Sequence, residues 1–493
     1  MAVLALLGAQ GKTLAAPSGA EVVAGDAIVA NHQTISGVNI DTLITQSSQR
    51  AVIDWASFDI GQDELVRFVQ NGVDSVALNR ITSGDATQIL GQLQANGRLF
   101  LVNPSGIVFG SSAQVDVAGL VATTLDIDNT DFMKGEFAFE QTAVNDAEVR
   151  NEGTITIGDN GFAYLVAPNV DNSGTIVANL GRVGLATDGT YILDLQGNEL
   201  IKFSVSPEVL EGSTLSVTNS GSGSLAGKTV VLAASGTETV LSSVVNDGDI
   251  QAATSFDMTG DRLTQAGHVE AGDIRLDAEA AIRQSGDMLA TGQVDVDAGT
   301  DIMMTDGTTT RANGDIRYNA DGSLQVANLT SQDGYIGLVA DNDVTQTGDI
   351  VTTGTSVEVM AGTTAAGGPG STGDIVMAEG TRTQAVDDIR YTAGRDLTVE
   401  TLVSQPDDNV ELRAGRTIYQ NATITAAGQV DVDAGADIVM AGGTTTRTNG
   451  DIRYNADGNL QVANLTSRDG YIGLVADNDV TQTGDIVTTG TSV

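Results

Sequence analysis

The sequence predicts an all-β fold of the parallel β-helix class, a solenoid in which short strands stack coil upon coil. A repeat of about 20 residues and the alternation of apolar and polar residues within short segments both indicate it. The composition agrees, because 59 Gly, 6 Pro and 4% aromatic residues suit short strands joined by tight turns. A hydrophobic content of 41% is enough to fill a buried core despite the high charge.

The short period appears when three segments are stacked: Ile274 to Val294, Ile336 to Val357, and Val410 to Val430. Each begins with a strand of the form apolar-x-apolar-x-Ala. It then passes two turns and two short strands, and it reaches the Val that begins the next coil. Three short strands per repeat are typical of a β-helix coil.

A longer repeat is superimposed on this short period. The segment from Gly292 to Val357 returns as Gly428 to Val493, at a constant offset and with seven substitutions. The second copy stops where Glu358 would have its counterpart, whereas the natural end of a β-helix needs a polar cap. We therefore expect the sequence to be cut off in mid-repeat and to be the start of a longer array.

The same pattern occurs earlier, where Asn151-Glu-Gly-Thr-Ile155 is echoed by Asn172-Ser-Gly-Thr-Ile176 at a similar spacing. Asn and Gly suit the corners of coils because both tolerate left-handed backbone conformations. Asn side chains in register can also form hydrogen-bonded ladders between coils. The sequence therefore predicts Asn-lined corners.

The charge and the absence of Cys exclude several function classes. With 23 basic and 64 acidic residues, the formal charge of −41 repels phosphate backbones, so we expect no nucleic-acid partner. Acidity of this kind favours solubility of a repetitive β protein over a specific cation site. With no Cys, disulfides and thiolate metal sites are excluded.

Residues 1–17 are similar to a truncated secretory signal peptide. Met1 to Gln10 form a short apolar core, and Thr13 to Pro17 could hold a cleavage site, although a basic n-region is missing. The alternative is a buried first strand. The apolar run is too short for a transmembrane helix.

An ordered series of motifs fills the region from about Ser18 to Asp188. It consists of Ala51-Val-Ile-Asp-Trp55-Ala-Ser-Phe58-Asp-Ile60-Gly61, Phe68-Val-Gln70, Ala77-Leu-Asn79-Arg80, Ile89 to Gly97, Leu99-Phe-Leu-Val-Asn103-Pro104-Ser105-Gly106-Ile107-Val-Phe109-Gly110, Val121 to Thr124, and Gly161 to Asn172. Taken in this order over the whole region, the series resembles the N-terminal secretion domain of the filamentous haemagglutinin family, the exported partners of two-partner secretion systems.

The resemblance implies a right-handed parallel β-helix with an N-terminal cap, recognised in the periplasm by the soluble domains of an outer-membrane transporter. It places that recognition on the segment of Asn103, Pro104, Ser105, Gly106 and Ile107. The family more usually has Asn at the position of Ser105, and the upstream Asn-Pro motif of some members is absent here. These departures leave the identity of the transporter open.

The residues of this segment also predict a tight turn without reference to any family. Pro104 presets φ at the second turn position, Gly106 can supply a positive φ, and the Asn103 side chain can cap the turn. The turn could therefore serve folding alone and touch no partner. Nearby, the single Trp, Trp55, could be a sugar-stacking platform, but its apolar neighbours favour a buried anchor under the cap.

A polysaccharide-degrading enzyme, a lyase or hydrolase, is the alternative function, because such enzymes also use β-helices. Asp295 and Asp297, repeated as Asp431 and Asp433, would project from one strand face about 7 Å apart, which suits general acid and base roles. Because side chains alternate along a strand, the intervening Val side chains should point inward and these carboxylates outward. A solvated face explains the pairs equally well, so we predict no catalytic residues.

The sequence contains little evidence for a metal or cofactor site. His32 and His268 are the only histidines, with no metal-ligand spacing around them, and each is expected to be an isolated surface residue. The Asp-rich turn Ala340 to Asp343 could bind calcium, but it lacks the nonapeptide repeat of calcium β-rolls and fits a solvated corner. We expect no metal and no cofactor.

Together these inferences predict a secreted exoprotein. Residues 18–250 would form the two-partner secretion domain and residues 251–493 the start of a repetitive β-helix shaft. The chain would pass through the periplasm and outer membrane and become extracellular or associated with the cell surface. The predicted use is adhesion, through a host or bacterial receptor or a carbohydrate bound by distal parts. The resemblance equally admits haemolysins, contact-dependent toxins and haem-binding proteins.

Overall fold

The structure, a computed structural model, describes residues 16–141, 146–187, 191–194, 200–205, 215–234, 242–363, 367–405 and 408–490. It divides into two compact units, Met1–Lys228 with Ala234–Leu241 and Thr229–Ala233 with Ser242–Val493. The predicted domain boundary at residue 250 stays a prediction, and the signal segment falls almost wholly outside the described residues.

The first unit contains one short helix, α1 (Asn129–Lys134), among its described residues. Its strands are β1 (Glu21–Ala24), β2 (Ala27–Ile35), β3 (Val38–Gln46), β4 (Arg50–Trp55), β5 (Leu65–Val69), β6 (Val76–Ile81), β7 (Thr87–Ile89), β8 (Gln92–Ala95), β9 (Arg98–Val102), β10 (Ile107–Phe109), β11 (Gln114–Val117), β12 (Gly119–Thr123), β13 (Asp126–Ile127), β14 (Phe137–Gln141), β15 (Glu148–Asn151), β16 (Thr154–Ile157), β17 (Phe162–Val166), β18 (Asn169–Asn172), β19 (Thr175–Ala186), β20 (Tyr191–Asp194), β21 (Leu200–Val205) and β22 (Leu215–Asn219). The division between the units falls within β23 (Ser224–Ala233).

The described strands of the second unit follow in chain order. They are β24 (Ser242–Asn246), β25 (Asp249–Gln265), β26 (Val269–Gln284), β27 (Met288–Ala290), β28 (Val294–Ala298), β29 (Ile302–Met304), β30 (Thr309–Ala312), β31 (Ile316–Ala320), β32 (Leu324–Val326), β33 (Asn328–Ser331), β34 (Ile336–Ala340), β35 (Val344–Gln346), β36 (Ile350–Thr352), β37 (Val357–Ala361), β38 (Ile375–Met377), β39 (Arg382–Ala385), β40 (Ile389–Ala393), β41 (Leu397–Val399), β42 (Thr401–Ser404), β43 (Val410–Ala414), β44 (Ile418–Gln420), β45 (Ile424–Thr425), β46 (Val430–Ala434), β47 (Ile438–Met440), β48 (Thr445–Thr448), β49 (Ile452–Ala456), β50 (Leu460–Val462), β51 (Asn464–Ser467), β52 (Ile472–Ala476), β53 (Val480–Gln482) and β54 (Ile486–Thr488).

The first unit is built from three parallel stacks, one for each side of the coil. The first stack is β4, β6, β9, β12, β17 and the end of β19. The second is β3, β5, β8, β11, β16 and the start of β19. The third is β7, β10, β15, β18 and β22. This arrangement confirms the predicted parallel β-helix.

Antiparallel strands cover the N-terminal end of these stacks. Strand β1 pairs antiparallel with β4, and β2 pairs antiparallel with β3. These pairs occupy backbone groups that the first parallel coil would otherwise leave exposed. The predicted N-terminal cap is therefore present.

The chain leaves the coil between β12 and β15, and again between β19 and β22, to form a small layer outside the first stack. Asp128 caps α1 by accepting hydrogen bonds from the backbone N–H groups of Thr130 and Asp131, and Gly135 ends the helix with φ of 91°. Strands β13, β14, β21 and β20 form a separate sheet in that order. The repeat pattern did not predict this layer.

The second unit confirms the predicted coil alignment. Ile274 pairs in register with Val294, and likewise Ile336 with Val357 and Val410 with Val430. The period is less regular than predicted, because the next step in the same stack, from Val294 to Ile316, is longer than the step from Ile274 to Val294. The step from Val357 to Ile389 is longer still, since that coil contains the bridge between Thr363 and Pro369.

Alternation of burial confirms the predicted inward and outward faces. Val294 and Val296 are buried, whereas Asp295 and Asp297 between and beside them are exposed. The same apolar interior continues through the coils of the second unit as Ile, Leu and Val. In the described ranges no helix has the length and apolarity needed to cross a bilayer.

Candidate functional site

The segment from Asn103 to Ile107 forms the corner between β9 and β10. The Gly106 N–H donates to the Asn103 carbonyl oxygen at 3.0 Å, which closes a tight turn. Gly106 has φ of 108°, and the Ser105 N–H donates to the Asn103 side-chain Oδ1 at 2.9 Å. The predicted turn, the positive φ at Gly106 and the Asn103 cap are all confirmed.

Asn103 also joins the coils on either side of the turn. Its Nδ2 donates to the Asp85 carbonyl oxygen at 3.0 Å and to the Thr87 Oγ1 at 2.9 Å on the preceding coil. Its backbone N–H donates to the Thr123 carbonyl oxygen on the following coil at 3.0 Å. Asn103 is completely buried, so its polar groups depend on these partners instead of water.

The remaining turn residues differ in exposure. Gly106 and Ile107 are buried, Ser105 is half-buried and Pro104 is exposed. A Cβ on Gly106 would lie 2.8 Å from the Glu148 carbonyl oxygen, so only Gly fits against the next coil. The turn therefore exposes Pro104 fully and Ser105 in part, while its other three residues are buried in the corner.

Other residues of the family-like motifs are structural anchors as well. Trp55 is buried as predicted, and its Nε1 donates to the Asn79 Oδ1 at 3.0 Å. Arg80 holds the outer layer against the first stack, since its guanidinium contacts Asp126 at 2.8 Å and Asn129 at 2.8 Å. Its Nη1 also lies 3.3 Å from Asp54 on the preceding coil.

The predicted ladder of hydrogen-bonded Asn side chains is present at another corner. A left-handed backbone, however, is not the reason that Asn occurs there. Asn151 Nδ2 donates to Asn172 Oδ1 at 2.7 Å, and Asn172 Nδ2 donates to Asn219 Oδ1 at 2.8 Å. All three are fully buried at the ends of stacked strands. Among the described non-glycine residues only His32, Ser36, Asn160 and Leu180 have positive φ, so the left-handed explanation for the ladder residues is wrong.

The paired carboxylates lie on solvated strand faces between oppositely charged or polar neighbours. Asp295 stacks between Arg275 and Arg317, and Asp297 accepts a hydrogen bond from Asn319 Nδ2 at 3.3 Å. In the second copy, burial raises the pKa of Asp431, and the nearby Glu411 carboxylate adds to the effect. These carboxylates therefore stack against charged or polar side chains of the neighbouring coils.

Many corner carboxylates of the second unit have a structural use. Asp301 Oδ1 accepts the Ser323 backbone N–H one coil later at 2.8 Å, and Asp315 Oδ1 accepts the Tyr335 N–H at 2.9 Å. In the Asp-rich turn considered for calcium, Asp343 Oδ1 accepts the Asp374 N–H at 2.8 Å. No cluster of three or more His or acidic side chains suited to a metal ion occurs in the described part of the chain.

Sequence reasoning missed a buried polar trio that recurs in the second unit. Tyr391 Oη lies 2.7 Å from Thr383 Oγ1 and donates to Gln346 Oε1 at 2.8 Å. The same arrangement occurs at two further places, Gln284 with Thr310 and Tyr318, and Gln420 with Thr446 and Tyr454. Burial raises the pKa of each tyrosine, so each hydroxyl remains a donor. The constant spacing from Thr to Tyr is a signal that could have found it.

Comparison with known proteins gives one family match and two relatives. The model of the TPS secretion domain matches residues 15–326. A heme/hemopexin-binding protein of Haemophilus influenzae is 35% identical over 190 residues, which are 37% of this chain and 20% of that protein. A second Haemophilus influenzae protein of the same description is 41% identical over 121 residues, 24% of this chain and 13% of that protein.

The chain thus spans a fifth or less of the length of these curated relatives. The crystal structure of the HMW1 secretion domain from Haemophilus influenzae aligns over 86% of this chain and 98% of that chain, with 22% identity and a TM-score of 0.42. The family model covers well over half of the chain and includes the whole Asn103–Ile107 turn. The chain therefore belongs to the TPS secretion domain family, and it is the secretion domain of a large exported protein that an outer-membrane transporter recognises.

Proposed function

We propose that the periplasmic domains of the transporter recognise the corner at Asn103 to Ile107. The proposal rests on the difference in burial between the residues of the turn. Asn103, Gly106 and Ile107 are buried and fix the backbone, whereas Pro104 is exposed and Ser105 half-exposed on a rigid corner. Rigid exposed groups bind with a smaller entropy cost than mobile ones. In the same proposal the secretion domain ends near residue 250 and a repetitive shaft follows.

The test separates recognition from folding with two variants of the purified chain. Pro104→Ala with Ser105→Ala alters the exposed and half-buried side chains of the turn, and Asn103→Ala alters the buried anchor. Recognition predicts that the double variant stays folded, with a loss of only about 0.4–1 kcal/mol from the missing Pro104 restraint, while its affinity for the isolated periplasmic domains falls. Normal affinity in both folded variants would reject a contact role for the turn.

We propose further that the exported protein acts by binding outside the cell and not by catalysis. Adhesion to cells or surfaces, through a receptor or a carbohydrate, is the leading use, and the duplicated shaft supports it because repeats extend a chain without new chemistry. Adherence of bacteria that express the full-length protein, compared with a strain lacking it, tests this use. An active enzyme would instead shorten acidic polysaccharides, which size-exclusion chromatography would detect.

Haem binding is a second candidate, because both relatives are described as heme/hemopexin-binding proteins. The chain offers two imidazoles, and His268 lies in a groove of ~550 Å³ formed by three stacked corners. Gly, Ser, Thr and two Asp residues dominate the lining, and Glu270 Oε1 lies 3.4 Å from the His268 Nε2. A haem site needs an apolar enclosure, so this groove does not fit haem.

A haem titration of this chain tests whether it binds haem. The proposal expects no Soret shift when haem is added to the chain, and the same result for His268→Ala. A shift that disappears in the variant would make His268 a ligand and move the leading use from adhesion to haem binding.

A further inference from the structure

We propose that Asn71 is a site of spontaneous deamidation, with water as the co-reactant. The chain contains five Asn-Gly pairs, at Asn71, Asn96, Asn160, Asn313 and Asn449. Asn-Gly is the pair most open to this chemistry, because Gly carries no side chain to block attack by its backbone nitrogen. The fold decides which of the five pairs can react.

The reaction requires two free groups. The Gly72 backbone nitrogen loses its proton and attacks the Asn71 Cγ, the Cγ–Nδ2 bond breaks, and ammonia leaves with a proton. The resulting five-membered succinimide then takes up one water. Opening at one carbonyl gives aspartate, and opening at the other gives isoaspartate with an additional methylene in the main chain.

Both groups are available at Asn71 and Gly72. Asn71 is exposed, Gly72 is half-exposed, and a Cβ on Gly72 would meet no atom within 4 Å. In the described part of the chain, neither the Asn71 side chain nor the Gly72 N–H has a hydrogen-bond partner. The turn is anchored on either side of these two groups, where Gln70 bonds to Asn96 and where the Ser75 N–H donates to the Gly72 carbonyl oxygen at 3.0 Å.

The coil stack restrains the other four pairs. Asn96 is held by Gln70, since its Oδ1 accepts the Gln70 N–H at 2.7 Å and its Nδ2 donates to the Gln70 carbonyl oxygen at 2.9 Å. In the other three pairs the Gly N–H is already engaged: Gly161 with Gly158, Gly314 with Gly292, and Gly450 with Gly428, at 3.0, 2.7 and 2.8 Å. A nitrogen held in such a bond is not free to attack.

The product would change a corner of the matched secretion domain. A new carboxylate at position 71 would lie close in sequence to Asp74, whose side chain contacts the Arg98 guanidinium at 2.7 Å. The modification therefore adds negative charge to a corner that already holds an ion pair, and isoaspartate also lengthens the loop. It accumulates with time and needs no enzyme.

Peptide mapping by mass spectrometry of the full chain, incubated folded at mildly alkaline pH, tests the proposal. We expect the replacement of NH2 by OH at Asn71 to approach one per chain while the other four Asn-Gly peptides keep their amides. In urea all five should react at similar rates, because unfolding removes the restraints. Electron-based fragmentation would locate the isoaspartate.

Two variants complete the test. Gly72→Ala places its Cβ in open space, so the fold should be unchanged while conversion at Asn71 slows strongly. Asn71→Gln should abolish the mass change. Equal conversion at Asn71 and Asn313 in the folded chain, or full conversion in Gly72→Ala, would overturn the proposal.

Discussion

At the residue scale, burial separates the roles of neighbouring side chains in one short turn. Asn103 is fully buried and bonded to two coils, whereas Pro104, directly after it, is exposed. The sequence could identify the turn, because Pro and Gly have local conformational preferences. It could not show which side chains face inward, since the partners Asp85 and Thr123 come from adjacent coils.

Asn103→Ala should yield a folded chain of lower stability. The change removes the bonds to Asp85 and Thr87 and the cap on Ser105, which costs about 1–3 kcal/mol for a buried polar group left without its partner. Urea unfolding followed by circular dichroism measures the cost. A chain that fails to fold, or one as stable as the wild type, would contradict this account.

Tyr391→Phe should lower stability by about 1–2 kcal/mol, because it deletes one hydroxyl that binds both Thr383 and Gln346. Thr383 and Gln346 keep a bond to each other at 3.2 Å, which limits the loss. Tyr419→Phe is the matched control, since Tyr419 is 41% exposed, and its effect should be close to zero. Equal losses in the two variants would show that the trio does not contribute.

At the element scale, side chains at the corners do much to determine the register in which the strands pair. Parallel strands of similar sequence could pair in several registers, because their apolar residues repeat. Buried Asn side chains fix the register, since each must find the Asn of the next coil to satisfy its polar atoms. The ladder of Asn151, Asn172 and Asn219 is therefore a register device.

Asn172→Ala should destabilise the first unit more than Asn151→Ala does. Asn172 takes part in two ladder bonds, accepting one from Asn151 and donating one to Asn219, so its loss costs about 2–5 kcal/mol, whereas Asn151 takes part in only one of them. Chemical unfolding of the two variants gives the comparison. Asn455→Ala, which removes an exposed Asn bonded to Asp433 at 2.8 Å, is the control and should change stability little.

The corner carboxylates link stability to pH. The Arg395 guanidinium, which donates through Nε to Asp374 Oδ1 at 3.0 Å, holds the pKa of Asp374 below its ordinary value of 3.8. A carboxyl whose pKa is lower in the folded state stabilises the fold above its unfolded pKa, and the effect is lost as the pH falls through the folded pKa.

Asp374→Asn should therefore be less stable than the wild type at neutral pH, and the difference should shrink as the pH falls below 3.8. Thermal unfolding in a pH series measures it. Asp306→Asn is the control, because Asp306 is exposed and replaced by Gly442 in the second copy of the repeat. A constant difference through the acid range would contradict the role of the ion pair.

At the scale of the whole molecule, the two copies of the long repeat, Gly292 to Val357 and Gly428 to Val493, show what the fold constrains. Of their seven differences, six lie at positions that are not buried in the first copy, and Ala312 is the buried exception. Interior positions tolerate change poorly because coils are closely packed. The surface differences, such as Met303 against Val439, leave the stack unaltered.

The formal charge of −41 should make stability depend on salt. Repulsion among surface carboxylates opposes the compact state, and salt screens it over about 10 Å at 0.1 M. The unfolding midpoint should therefore rise when sodium chloride is added. A midpoint that falls would mean that the ion pairs, such as Arg390 with Glu411 at 2.9 Å, contribute more than the repulsion.

The sequence by itself determined the fold class, the alignment of coils such as Ile274 with Val294, and the family resemblance. These follow from period and alternation, which are local and repeat along the chain. Only the tertiary structure decided that Asn103 is an internal anchor and that an outer layer covers Phe100 through Phe132 and Phe137. The reason is that burial depends on which distant residues meet, and an excursion from the coil has no period to reveal it.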